Sequence, residues 1–157
     1  MKKTIFTSMT ALALTVGAPA FAADAVINKA WEGHKADDVC FAISFPEGQR
    51  PSGERYVTVT NRVADNVKDE IAVVSGFPES ANIEGTVKID EELPFQLLVY
   101  KGTGFLKTTE LEKKAIEQMK AGRALEVKWT KADGSYVVDE YSLYGMTASR
   151  SFANECK

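Results

Sequence analysis

The single histidine of this chain, His34, stands in WEGHKADD (31–38), with Glu32, Asp37 and Asp38 close by and Trp31 in front of them. Imidazole and carboxylates are zinc and copper ligands, and an indole offers a flat face for a ligand to stack on. Trp31, His34, Asp37 and Asp38 are therefore the candidate ligand surface, with Glu32 beside them. The spacing matches neither the i, i+4 pattern of a helical zinc site nor a hairpin ligand pair. The structural reading of the same residues is a solvated loop ahead of the next strand, with Trp31 packed into the core. Hydrolysis by a Ser-His-Asp set would have to use His34, and no G-x-S-x-G elbow is present. KGTGF (101–105) has two of the glycines of a phosphate loop but no third and no helix start, so it reads as a turn. Glu91-Glu92 and Asp139-Glu140 are adjacent carboxylates. Neighbours in a strand point to opposite faces, so the second pair cannot share a proton.

The chemistry thus offers no catalytic set and no cofactor motif. Two function classes remain: a non-enzymatic binding or envelope-support protein, and a small periplasmic hydrolase or metal-binding protein centred on His34. The lack of a convergent acid, base and nucleophile favours the first.

Cys40 and Cys156 are the only cysteines. MKKTIFTSMTALALTVGAPAFAADA opens the chain with Lys2 and Lys3, an apolar stretch and Ala20-Phe21-Ala22, the pattern of a secretory leader cut after Ala22. The apolar stretch falls short of the about 20 residues that span a bilayer, so no transmembrane anchor is expected. Residues 1–22 are thus a signal peptide and 23–157 one domain. An exported chain meets an oxidising compartment, where a lone pair of cysteines becomes a disulfide. Cys40–Cys156 would close a loop of about 116 residues, a structural staple rather than a C-x-x-C redox pair. The formal net charge is −3, and losing Lys2 and Lys3 makes it two units more negative. Such a chain is ill suited to nucleic acid or anionic lipid.

The elements that must position these residues are mostly strands. Alternating or continuous apolar runs at 25–33, 39–45, 56–62, 69–76, 85–89, 95–102, 124–130 and 135–145 predict about eight, with 39–45 and 69–76 buried on both faces. Asp133-Gly134 marks a hairpin between the last two. Pro46, Pro51, Pro78 and Pro94 fall at strand ends or in loops, and 46–54 is the longest loop. Residues 109–122 predict one cover helix. It has a Thr109/Glu112 capping box, a stripe of Leu111, Ala115, Ile116 and Met119, and a stop at Gly122. A short helix near 147–154 would carry Cys156 back towards Cys40. The pattern suggests a β-sandwich or barrel.

VCFAISFP, YVTVTNR, VKDEIAVVSGFP, AIEQMKAG and DEYSLYGMTAS, followed by a terminal cysteine, occur in an order that resembles the invasion-associated locus B family of exported Gram-negative proteins. The resemblance covers nearly all of 23–157. It rests chiefly on Tyr141-Ser142-Leu143 with Gly145 and on Met119-Lys120-Ala121-Gly122. It implies a mainly β, immunoglobulin-like β-sandwich with recognition in end loops, located in the periplasm, at the outer membrane or outside the cell. It also implies a protein or cell-envelope partner, with host-cell surfaces among the candidates, and it supplies no catalytic residues. Some members carry a further cysteine before the helix, where this chain has Leu106-Lys107-Thr108.

Overall fold

A computed structural model of the protein describes residues 24–48 and 54–156. The expected leader with its cleavage site, and the tip of the 46–54 loop, lie outside the described residues. In chain order the strands are β1 (Asp24–Asn28), β2 (Trp31–Ala36), β3 (Val39–Ser44), β4 (Tyr56–Arg62), β5 (Val67–Val74), β6 (Ile83–Ile89), β7 (Phe95–Gln96), β8 (Leu98–Tyr100), β9 (Thr103–Phe105), β10 (Ala124–Lys131) and β11 (Tyr136–Ser142). Helix α1 (Thr109–Ala121) follows β9, and α2 (Met146–Ala153) follows β11.

The strands form two antiparallel sheets, ordered β1-β2-β3-β4-β5-β9-β8 and β11-β10-β6-β7. β1 to β5 lie side by side in chain order, a meander. The immunoglobulin-like arrangement expected from the resemblance instead interleaves strands by Greek-key connections. Two predicted strands are each divided. Residues 25–33 contain the Lys29–Ala30 turn, so WEGH begins β2 and is not a loop. The 95–102 run breaks at Leu97: β7 pairs with β6 in the smaller sheet and β8 with β9 in the larger. One continuous stretch of chain therefore ties the two sheets together.

Both sheets turn their inward rows to one core. Trp31, Trp129, Tyr141, Ile71, Ile89, Met119, Leu125 and Met146 are among its fully buried members. Trp129 lies on Gly85 of β6, where a Cβ would sit 2.5 Å from the indole, so no larger residue fits beneath that ring. Thr108, not Thr109, caps α1: its hydroxyl accepts the Leu111 N–H at 3.3 Å. Glu112 is thereby freed from the expected capping box. Its carboxylate instead accepts from the Ile71 backbone on β5, near Glu70 and Asp69. Burial, then the charge of Glu70, raises its pKa above the ordinary 4.5. A raised carboxyl pKa means the folded state holds the proton more tightly, so ionised Glu112 destabilises the fold. Glu112→Gln should raise the melting temperature at pH 7, and the gain should shrink as the pH falls and vanish below about 4.5. Thermal melts across that range check both parts.

Helix α2 is seated on β1 to β4 by several contacts. Gly145 begins it at φ 93, a left-handed conformation that suits glycine, with the Asn28 carbonyl where a Cβ would be. Arg150 grips Asp69 with two bonds of 2.6 and 2.7 Å. Asn61 donates to the Ala153 carbonyl and to Asn154, and Asn28 donates to Ser149. The Cys40–Cys156 disulfide closes the end of this segment with a Cα–Cα distance of 5.7 Å.

Candidate interaction surface

The larger sheet carries its polar and apolar residues in an unusual way. Its inward rows fill the core, and both helices also pack on that side. Its outward rows should then be polar, because an antiparallel sheet with one wet face normally alternates. They are not. β3 turns Phe41 and Ile43 outward, β4 turns Tyr56, Thr58 and Thr60, and β5 turns Ala72 and Val74. The register aligns Ile27, Glu32, Ile43, Thr58, Ala72, Phe105 and Leu98 in a single row across all seven strands. A row beside it passes through Ala25, His34, Phe41, Thr60 and Glu70. A third runs through Tyr56, Val74, Thr103 and Tyr100, with Phe45 edge-on to Tyr56 at 6.3 Å. Exposure is greatest at the two ends, at 74% for Ile27, 57% for Leu98 and 66% for Tyr100.

The first row crosses all seven strands, the second five and the third four, and Glu32, His34, Thr58, Thr60, Glu70 and Thr103 interrupt the apolar members. Apolar side chains gathered on an exposed sheet face are a feature of interaction sites. The smaller sheet shows the contrast. Its outward positions are Glu84, Thr86 and Lys88 on β6, Glu126, Lys128 and Thr130 on β10, and Tyr136, Val138 and Glu140 on β11, so its polar character lies in β6 and β10. Glu126 faces Lys88, and the Lys128 ammonium lies 4.4 Å from the Tyr136 ring centre. Strands 39–45 and 69–76, expected to be buried on both faces, are covered on one side only among the described residues.

No protein-family model matches the chain, and no curated protein or solved structure is significantly similar to it.

The proposed ligand surface is dispersed. Trp31 is fully buried and its indole donates to the Ser142 carbonyl at 2.8 Å, so it offers nothing to stack on. Its inward position on β2 is the reason. His34 faces outward, stacked on Phe41 with ring centres 5.0 Å apart, and its Nε2 lies 3.2 Å from Glu32. Asp37 and Asp38 form the turn between β2 and β3, with Asp37 at φ 48. Among the described residues, no three His, Cys, Asp or Glu side chains come together to hold a metal ion. No helix there is long and apolar enough to cross a membrane. Glu91 and Glu92 are exposed in the turn after β6, and Asp139 and Glu140 point to opposite faces.

One buried polar pair lies outside the candidate residues of the sequence. Asp139 faces inward between Val137 and Tyr141, and its Oδ1 accepts from Arg55 Nη1 at 2.9 Å. Its Oδ2 and the Tyr141 hydroxyl are buried without a hydrogen-bond partner. Burial, then the Asp139 charge, pushes the Tyr141 phenol far up, against a smaller opposing pull from Arg55. An aspartate on the apolar side of a period-two strand was the available signal.

Proposed function

We propose that this is an exported, non-enzymatic binding or support protein of the bacterial envelope. In this reading it holds a protein partner on the outward face of the seven-stranded sheet. The apolar side chains gathered on that face, set against the polar and charged outward positions of β6 and β10, carry the proposal. The secretory pattern of 1–22, the cysteine pair and the resemblance to the invasion-associated locus B family support an envelope location. The two sheets serve as a β-sandwich scaffold, with recognition on a strand face rather than in end loops. A sheet face suits this role, because β-branched and aromatic side chains on a sheet are already ordered and lose little freedom on binding.

Crosslinking and pull-down from the protein's own cell envelope test the reading. Ile43→Lys and Leu98→Lys should each lower capture tenfold or more, as expected when a buried anchor is replaced by a charge. Thr86→Lys, on the other sheet, should leave capture intact, and all three should melt within a few degrees of the parent. Equal capture by all variants would remove the face from consideration. A hydrolytic turnover abolished by His34→Ala would favour the enzymatic alternative, for which the Glu32–His34 contact is the one structural support.

A further inference from the structure

We infer that β1 is a self-pairing edge, through which a second copy of this chain continues the seven-stranded sheet. The hairpin geometry decides which backbone groups are free. The two-residue turn Lys29–Ala30 makes Asn28 and Trp31 a hydrogen-bonded pair, and the antiparallel ladder then alternates. Asn28, Val26 and Asp24 bond to β2. Ala25 and Ile27 direct their N–H and C=O groups away from the sheet. The hairpin of β2 and β3 gives the same parity, because Ala36 and Val39 close another two-residue turn.

The edge at β11 is occupied: the Glu140 carbonyl accepts the Glu47 N–H and the Ser142 carbonyl accepts the Trp31 indole. The remaining edges, β8 and β7, are only 3 and 2 residues long, and such short strands offer little to pair with. Among the described residues β1 has no proline, no bulge and no inward-pointing lysine, and its one inward charge is Asp24 at the very start. Instead it presents Ile27, the second most exposed large apolar residue among those described.

The strand is also complementary to itself. In antiparallel pairing about a two-fold axis at Val26, Ala25 of each copy meets Ile27 of the other. All four outward N–H groups and carbonyls of each pair are then satisfied. Val26 meets its own counterpart, and Asp24 falls opposite Asn28 and next to Lys29 of the other copy, an acidic group beside a basic one. The outward faces of the two sheets become continuous, with Ile27 covered at the join. The proposal rests on export in one respect: a cut after Ala22 leaves a single residue ahead of β1, so no leading segment remains to cover the edge.

The full chain is to be expressed with its own leader, its N-terminus determined by intact mass, and its association followed by sedimentation from micromolar to millimolar concentration. A small interface of this kind associates weakly. The weight-average mass should therefore rise towards twice that of the monomer with concentration, and the Ala25 and Ile27 amides should exchange more slowly in parallel. Ile27→Pro removes only an outward N–H and should remain monomeric with its melting temperature nearly unchanged. Ile27→Lys should do the same without altering the backbone. A monomer throughout, whichever N-terminus is found, overturns the proposal. So does a dimer that persists in both Ile27 variants, or one abolished by Leu98→Lys on the far side of the sheet. An uncut leader alone would overturn the export reading and leave the sedimentation result to decide the edge.

Discussion

Replacing Cys40 or Cys156 with serine should destabilise the protein by up to about 4–5 kcal/mol, the chain-entropy value for releasing a closed loop this long. The residues joined are 116 apart in sequence, so the bond removes much of the unfolded chain's freedom. The melting temperature should fall by about 8–20 °C, at 2–4 °C per kcal/mol. The folded structure should persist, because Arg150–Asp69, Asn61 and Gly145 hold α2 without the bond. Cys40 is buried and Cys156 partly exposed, so Cys40→Ser carries a further penalty for a buried hydroxyl. The double variant should then match Cys40→Ser, since two substitutions that break one shared bond do not add. Urea unfolding of the three variants measures this. Additive losses, or two alkylatable thiols in the native protein, would contradict the shared bond.

Arg55→Met should destabilise the protein by about 3 kcal/mol, the lower end of the range for stripping a buried charge of its partner. The lower end applies because the Arg55 side chain is 25% exposed, whereas that of Asp139 is only 2% exposed. The loss therefore comes from leaving the Asp139 carboxylate charged in the core among Val127, Tyr141 and their neighbours. The double variant Arg55→Met/Asp139→Val should recover most of the stability, since an apolar pair in place of a buried ion pair is often neutral. A double-mutant cycle by denaturant titration checks the sign. Losses that simply sum would show that the two side chains act independently.

Much of the strand pattern was legible because period-two alternation survives in every inward row. Val57 and Val59, Val87 and Ile89, and Leu125, Val127 and Trp129 are all buried as their spacing predicts. The stripe on α1 was legible for the same reason at helical spacing, with Ala115, Ile116 and Met119 buried. The turn at Lys29–Ala30 was not, because Lys29 takes a left-handed φ of 58 without the glycine or asparagine that usually announces one. Nor was the N-cap: Thr108 and Thr109 are chemically equivalent, and only the path of the incoming chain selects between them. The Arg55–Asp139 pair joins residues 84 apart, so only the inward position of Asp139 could be anticipated. Phe41, Ile43 and Val74 announce the apolar outward face, but the same pattern predicts burial on both sides. Sequence reports that a strand is apolar on both sides without reporting whether anything covers the second side.

The placement of the disulfide also divides the molecule mechanically. If the chain is pulled at residue 24 and at residue 156, tension passes from Cys40 directly through the sulfur–sulfur bond and bypasses everything between. Only β1, β2 and the first two residues of β3 lie on the loaded side. Their sixteen peptide steps can lengthen to about 55 Å and no further without breaking a covalent bond. The outward apolar residues of β3, β4, β5, β8 and β9 sit in the unloaded loop. A partner bound there would be insulated from forces transmitted along the chain, while the β1 edge would be the first part to yield.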